Sequence, residues 1–165
     1  MICTGSYDEF MTLKDGISIS GDRGRRKNYQ GDAYIKLAPK YSWWKEWEEL
    51  SKYMDFHDSV VFYMEKYYET VLANLEPLEV FNDLDGKILL CYEESEYFCH
   101  RHIVAAWLEL CLGVTVPEVK NLGDKLLKVH RPAYVKELLP IIIKNYNSRN
   151  KILSKANENI TPINH

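Results

Sequence analysis

The stretch that decides the fold is ILLCYEESEYFCHRHIVAAW, residues 88–107 of the chain. Its apolar start, which ends at Cys91, predicts a short buried strand. A loop with glutamates follows, and a helical pattern then begins close to Cys99, His100 and Arg101. Ligands of α/β proteins gather where strands end and helices begin, because unpaired backbone N–H groups there attract anions. We therefore place the candidate site at this corner.

The chain on either side of the corner alternates between strand and helix patterns. Residues 1–7 and 16–20 predict two further strands. Helical spacing predicts five helices. One begins at about residue 41, and the next begins at an N-cap at Asp58. A third spans residues 78–84, a fourth follows the corner and ends at Gly113, and a fifth spans residues 132–146. Residues 114–119 predict an edge strand, because Pro117 excludes a central one.

These elements together indicate a single α/β domain with a small, largely parallel sheet flanked by helices. We expect residues 1–119 to form its core. Residues 120–165 are expected to add a C-terminal helical extension, whose polar tail frays from Ser148 onward.

Composition places the chain among ordinary globular proteins. With 165 residues it can bury a core, and its formal net charge of −3 lacks the polybasic signature of a nucleic-acid binder. Four cysteines are too few for a disulfide scaffold, and the start lacks a signal-peptide pattern. No apolar run approaches the roughly 20 residues that span a bilayer. We expect a reduced cytoplasmic protein without membrane association, and we predict no cofactor and no metal.

The residues of the corner admit more than one chemical role. Cys99 lies near a helix N-terminus beside Arg101, which favours its thiolate and a nucleophilic or phosphate-binding role. It also shares a helix face with Ile103, which is typical of a core residue. Arg101 is expected to bind an anion or to form an internal ion pair with Glu93 or Glu94.

Glu93 is the favoured carboxylate of the loop, because alternation along an extended chain puts it on the same side as Cys91. A zinc site is a weaker alternative, since the corner has no Cys-x-x-Cys pair and its two histidines point to different helix faces. Its ligands would be Cys91, Cys99, His100 and His102. A phosphatase-type loop after Cys91 is disfavoured, because three glutamates in it would repel phosphate.

A second group of candidates lies in the glycine-rich basic loop GDRGRRKNYQG, residues 21–31. Glycines let backbone and guanidinium groups wrap a phosphate, and Tyr29 can stack on a base. If the first two strands lie beside the corner strand, this loop flanks the candidate site; the alternative is an exposed loop without a ligand. The ligand-binding candidates of loop and corner are Ser20, Arg23, Arg25, Arg26, Cys91 and His100.

The corner resembles the small bacterial and phage proteins grouped as the domain of unknown function 488 family. The resemblance rests on a strand ending in Leu-Cys-x-Glu, here residues 90–93, and on Cys-His-Arg opening a helix, here residues 99–101. The segments at residues 17–20 and 37–40 also fit, so the similarity covers roughly residues 1–119. The resemblance implies an α/β fold, nucleotide or nucleic-acid processing of a glycosidase-like kind, and a pocket at Cys91, Glu93, Cys99 and Arg101.

The leading expectation is therefore an enzyme or binding protein for a phosphate-bearing small molecule or nucleic acid. Arg101 and the basic loop would hold phosphate, Glu93 would be the acid or base, and Cys99 the nucleophile or part of the pocket wall. The alternative is a non-catalytic protein-interaction factor, such as a phage protein that binds a host protein. Its contacts would come from the C-terminal helix and from the helix with Trp43, Trp44 and Trp47.

Overall fold

One sheet organises the chain. The structure, a computed structural model, describes residues 1–159. Within these residues six strands form the sheet: β1 (Cys3–Ser6), β2 (Gly16–Ser18), β3 (Asp32–Ala33), β4 (Ile88–Cys91), β5 (Glu118–Asn121) and β6 (Leu126–Val129). Their order is β3-β2-β4-β1-β5-β6, and every neighbouring pair is parallel except β5 with β6. The prediction of a largely parallel sheet is confirmed.

The α-helices lie in three of the five connections between the strands and after the last strand. Over the same residues they are α1 (Tyr7–Phe10), α2 (Tyr41–Leu50), α3 (Phe56–Thr70), α4 (Pro77–Asp83), α5 (His100–Leu112) and α6 (Ala133–Glu158). Helix α6 packs against both α3 and α5, and α2 packs against α3. The α/β class that the sequence predicts is confirmed, together with a C-terminal helix.

The two faces of the sheet are covered unequally. Alternation along β4 sends Leu89 into a large core shared with the buried sides of α3, α5 and α6, and Leu90 into a smaller core on the other face. The smaller core is closed by Tyr7 and Phe10 of α1 and by Tyr29. Most helices therefore lie on one face of the sheet.

The corner between β4 and α5 forms where the sequence predicts it. Strand β4 ends at Cys91, and α5 begins at His100 with Cys99 in the N-cap position. Helix α5 ends at Gly113, whose φ of 66° lies in the left-handed region that glycine tolerates. The predicted strand, helix start and terminator are all confirmed.

Two predicted boundaries are wrong. The N-cap of α3 is Asp55, whose side chain accepts a hydrogen bond from the backbone N–H of Asp58, so Asp58 lies in the first helical turn. The strand predicted over residues 114–119 begins only at Glu118, directly after Pro117. It lies between β1 and β6 instead of at an edge of the sheet. Proline stands before the strand and therefore removes none of its ladder hydrogen bonds.

Helix α6 is longer than the sequence pattern predicts. It continues through Ser148 to Glu158, so fraying from Ser148 is wrong for these residues, and residues 160–165 lie outside the described part. Its first half buries Val135, Leu139 and Ile142, whereas residues 147–158 are exposed. Neither α6 nor another helix in residues 1–159 combines the length and apolar character needed to cross a membrane.

Candidate functional site

A cavity of about 640 Å³ opens at the carboxyl ends of β2 and β4. These strands are parallel neighbours, so the loops that follow them meet at one edge of the sheet. The predicted position of the basic loop beside the β4–α5 corner is thereby confirmed. Polar or reactive groups in the lining come from Ser20, Asp22, Arg26, Glu48, Cys91, Tyr92, Glu93, Cys99 and His100.

Two thiols and an imidazole meet at the floor of the cavity. The sulfur atoms of Cys91 and Cys99 and a ring nitrogen of His100 all lie within 4.8 Å of one another, and the three residues are buried. Nδ1 of His100 is 3.5 Å from Sγ of Cys91, while its Nε2 is 2.9 Å from the backbone oxygen of Ile19. Because a carbonyl oxygen can only accept, Nε2 carries the hydrogen and Nδ1 presents its lone pair to Cys91.

Burial governs the ionisation of Cys99. It raises the pKa of this thiol to about 12, and the hydrogen bond with Cys91 acts in the same direction. The expectation of a favoured thiolate is wrong for Cys99, because its loss of hydration outweighs the nearby positive charge of Arg101.

Glu93 turns its carboxyl group towards the same floor. Its Oε2 lies 3.6 Å from Sγ of Cys91, which agrees with the predicted alternation. Although the residue is exposed, partial loss of hydration around the carboxyl raises the pKa of Glu93 to about 7, and the adjacent Cys99 adds to the rise. Both protonation states of Glu93 are therefore accessible near neutral pH.

Ser20 connects the floor to the strand layer beneath it. Its hydroxyl donates to Sγ of Cys91 over 3.6 Å and accepts a hydrogen bond of 2.9 Å from the hydroxyl of Tyr7. The Tyr7 hydroxyl also lies 2.6 Å from Oγ of Ser18. Burial raises the pKa of Tyr7, so this hydroxyl stays protonated and remains available as a donor.

Six aromatic residues line the cavity. Tyr63 makes edge-to-face contacts with Trp47, at 4.9 Å between ring centroids, and with Phe98, at 5.1 Å. Tyr41 stacks on Trp44 at 6.4 Å. The wall rings are contributed by Tyr41, Trp44, Trp47, Tyr63, Tyr92 and Phe98. Trp43, by contrast, is buried in the large core.

The mouth of the cavity carries a charged pair. The guanidinium of Arg26 lies 4.2 Å above the ring of Tyr92 and 3.7 Å from the carboxylate of Asp22. Partial burial opposes ionisation of Asp22, but hydrogen bonds from Tyr92 and from the backbone of Gly24 and Arg26 hold its pKa below the usual value. Asp22 is therefore a carboxylate at neutral pH.

The predicted basic loop contributes less to the cavity than the sequence implies. Arg26 is its one basic residue among the described residues that line the cavity. Arg23 and Arg25 are exposed outside the lining, and Lys27 pairs with Asp8 at 2.8 Å. The loop therefore flanks the site but does not wrap it.

Arg101 lies away from the cavity, contrary to its predicted place in the pocket. Its side chain is fully buried, and Nη2 is 2.8 Å from a carboxylate oxygen of Glu118. The internal ion pair that the sequence allowed is therefore present, but with Glu118 and not with Glu93 or Glu94. Arg101 does not line the cavity and is therefore unavailable to a ligand there.

Glu118 is the centre of a buried polar cluster outside the cavity. Its carboxylate accepts hydrogen bonds from Thr4 and Ser95 as well as from Arg101. Burial alone would raise the pKa of Glu118, but the charge and hydrogen bonds of Arg101 bring it below the usual value. A second cavity of about 420 Å³ adjoins this cluster, lined in part by Arg131 and His102.

Sequence reasoning missed several residues of this arrangement. Glu118 left one signal, a carboxylate within an otherwise apolar alternating run, which is costly unless the group is paired. Tyr63 and Trp47 carry helix-core spacing, and only their position beside β4 makes them cavity walls. Nothing in the local sequence distinguishes a core residue from a residue of the cavity wall.

The fold and the cavity define an α/β protein whose candidate site lies at the carboxyl edge of a largely parallel sheet. No family model, curated protein or solved structure matches the chain. The proposals below therefore rest on the geometry of the cavity.

Proposed function

We propose that the cavity binds the nucleoside part of a nucleotide or nucleic acid and that the protein processes this ligand at its N-glycosidic bond. Glu93 is the residue that we assign to the reaction. The observation that carries the proposal is the carboxyl group of Glu93 on the floor of a cavity whose walls are aromatic.

The size and wall of the cavity favour a planar ligand. About 640 Å³ falls within the range of small-molecule sites, about 300–1,000 Å³. Bases stack on aromatic side chains with about 1–3 kcal/mol each, and this contact tolerates any base. Trp44, Trp47 and Tyr63 line the same cavity as Glu93. A base stacked against this wall would bring its sugar towards the floor.

The charges of the cavity favour a nucleoside inside and phosphate outside. Among the described lining residues, Asp22, Glu48 and Glu93 carry carboxyl groups, whereas Arg26 is the one Arg or Lys. A phosphate deep in the cavity would meet more carboxylates than cations. Arg26, which is exposed at the mouth, can contact a phosphate at the opening.

The reaction needs little besides a carboxylate at the sugar. The bond from the sugar carbon C1′ to the base nitrogen breaks, the base leaves with the electron pair, and positive charge develops on the sugar ring. The carboxylate of Glu93 stabilises this charge. A water molecule then bonds through its oxygen to C1′, and a proton from that water ends on the departed base. The products are the free base and the sugar, which keeps any phosphate or strand attached to it.

Matched substitutions at two neighbouring glutamates test the reaction. Glu94 is exposed and does not line the cavity, so E94Q is the control for E93Q. Adenosine, cytidine, their 5′-phosphates and a short oligonucleotide are incubated with each protein, and released base is measured by chromatography. We expect E93Q to lower the rate at least about 100-fold, and E94Q to leave it unchanged. Equal rates in the two variants would contradict the role of Glu93.

A separate binding measurement tests the aromatic wall. Titration of the same compounds is followed by quenching of tryptophan fluorescence in wild type, W44A and Y53A; Tyr53 is exposed and lies outside the cavity. Loss of one stacking contact should weaken binding about 5- to 150-fold in W44A and leave Y53A unaffected. If no compound of the set binds the wild-type protein, the proposed function is wrong.

A further inference from the structure

Three donor atoms at the floor of the cavity form a cluster that the proposed function does not use. The sulfurs of Cys91 and Cys99 and a ring nitrogen of His100 lie mutually within 4.8 Å, although the two cysteines are eight positions apart along the chain. The loop between β4 and α5 folds back and places the N-cap of α5 against the end of β4. The fold therefore brings together three of the four residues that the sequence offered as zinc ligands, without His102.

The orientation of His100 is that of a metal ligand. Its Nε2 donates to the backbone oxygen of Ile19 at 2.9 Å, which leaves the lone pair of Nδ1 directed at Cys91. Histidines that bind metals generally donate their second ring N–H to a backbone carbonyl or a carboxylate, because this fixes the tautomer and the ring. The imidazole of His100 is thus held in place before an ion binds.

One donor distance also matches a tetrahedral ion, and the other donor atoms lie within 4.8 Å. Zinc bonds of about 2.3 Å to sulfur and about 2.0–2.1 Å to nitrogen put two ligand atoms about 3.5–3.8 Å apart. The distance from Sγ of Cys91 to Nδ1 of His100 is 3.5 Å. Two thiolates with one imidazole are soft and borderline ligands, which select Zn²⁺ over Mg²⁺ or Ca²⁺.

We propose that Cys91, Cys99 and His100 bind one Zn²⁺ ion and leave its fourth position on the cavity side. All three residues line the cavity, and the carboxyl group of Glu93 stands beside Cys91 there. Both thiols lose their protons to solvent when the ion binds. The inference goes beyond the proposed function, which needs no metal.

A titration with Co²⁺ tests the site on the full chain. Co²⁺ replaces Zn²⁺ in such sites and gives visible absorption bands that report tetrahedral geometry and thiolate ligation. Protein treated with a chelator is titrated with Co²⁺ and then with Zn²⁺. We expect uptake of one ion per chain, thiolate-to-cobalt absorption, and loss of the bands when Zn²⁺ displaces Co²⁺. Native mass spectrometry gives the stoichiometry with Zn²⁺ independently.

The remaining two cysteines supply the matched controls. Cys3 is buried and Cys111 is exposed, and neither belongs to the cluster. C91S, C99S and H100A should each weaken binding more than about 100-fold, since loss of an outer partner alone costs about 10- to 100-fold. C3S and C111S should bind Co²⁺ as the wild type does. Circular dichroism without metal checks that every variant is folded.

Two results would overturn the zinc site. One is a wild-type protein that shows no thiolate-to-cobalt band at stoichiometric Co²⁺, which is decided without any variant. The other is binding that survives in folded C91S and C99S, because the ion would then lie elsewhere. Release of base in the presence of the chelator is measured separately, so failure of the metal site leaves the test of the proposed function intact.

Discussion

Cys99, His100 and Arg101 are consecutive in the chain, yet they serve two separate clusters. Cys99 and His100 face the cavity, whereas Arg101 pairs with Glu118 of β5. Successive helix residues are turned by about 100°, so adjacent side chains cannot share one direction. The residues that look like one reactive group in the sequence are therefore divided between a candidate site and a structural ion pair.

The buried pair of Arg101 and Glu118 predicts a large effect on stability. E118Q leaves the guanidinium of Arg101 buried without its countercharge, so the free energy of unfolding should fall by about 3–5 kcal/mol. Urea unfolding at neutral pH measures this difference. The control is E49Q, which breaks the exposed pair of Glu49 with Lys52 and should have little effect. Similar losses in both variants would contradict the structural importance of the buried pair.

His102 predicts a dependence of stability on acid. Its side chain is fully buried, and burial lowers its pKa to about 3, with the charge of Arg101 acting in the same direction. Between pH 6.5 and pH 3 the unfolded chain binds a proton at His102 that the folded protein does not bind. The free energy of unfolding should therefore decrease as pH falls through this window, by at most about 1.4 kcal/mol per pH unit.

The substitution H102L isolates this contribution, since leucine does not titrate. Urea unfolding of wild type and H102L is compared from pH 8 to pH 4. The difference in unfolding free energy between the two proteins should be constant above about pH 7 and should shift in favour of H102L below it. A difference that stays constant down to pH 4 would show that His102 is protonated equally in both states.

At the scale of the elements, the β5–β6 hairpin explains why one strand prediction is wrong. A proline inside an alternating run, as Pro117 is in residues 114–119, indicates an edge strand. Here β5 is flanked by β1 on one side and by β6 on the other, because residues 122–125 turn the chain back along the sheet. Proline is tolerated because it precedes Glu118, where pairing with β1 begins. The edge strand on this side of the sheet is β6, in which Leu126 and Leu127 are exposed.

The β4–α5 corner shows the opposite case, in which local sequence was sufficient. The apolar run before Cys91, the polar loop and the helical face ending at Gly113 each carry their own signal. Glycine at that end adopts a left-handed φ without a steric penalty. At this corner the elements follow from their own residues, whereas the pairing of Arg101 with Glu118 depends on β5, which lies elsewhere in the chain.

At the scale of the whole molecule, α6 predicts how far the chain can be shortened. Of the described residues, truncation after Asn147 removes only exposed ones, and it keeps the contact of Tyr146 with Tyr68. The unfolding transition should therefore stay close to that of the full chain. Truncation after Val119 removes β6 and the buried Val135, Leu139 and Ile142. The large core then loses its cover, and we expect no cooperative transition.

Thermal unfolding followed by circular dichroism compares the two shortened chains with the full one. A cooperative transition for residues 1–119 near that of the full chain would show that these residues fold independently. It would confirm the expectation that residues 1–119 form the core and that residues 120–165 are an addition to it. Loss of stability on truncation after Asn147 would instead assign a structural role to the exposed end of α6.

The sequence by itself determined the α/β class, the strand that ends at Cys91, the helix start at His100 and the proximity of Glu93 to Cys91. These features depend on residues close together in the chain, where apolar periodicity and helix-end chemistry act directly. Only the tertiary structure decided that Cys99 joins Cys91 and His100, that Trp47 and Tyr63 line a cavity, and that Arg101 pairs with Glu118. The physical reason is that burial and pairing across strands are set by which elements meet, and a single sequence does not carry that information locally.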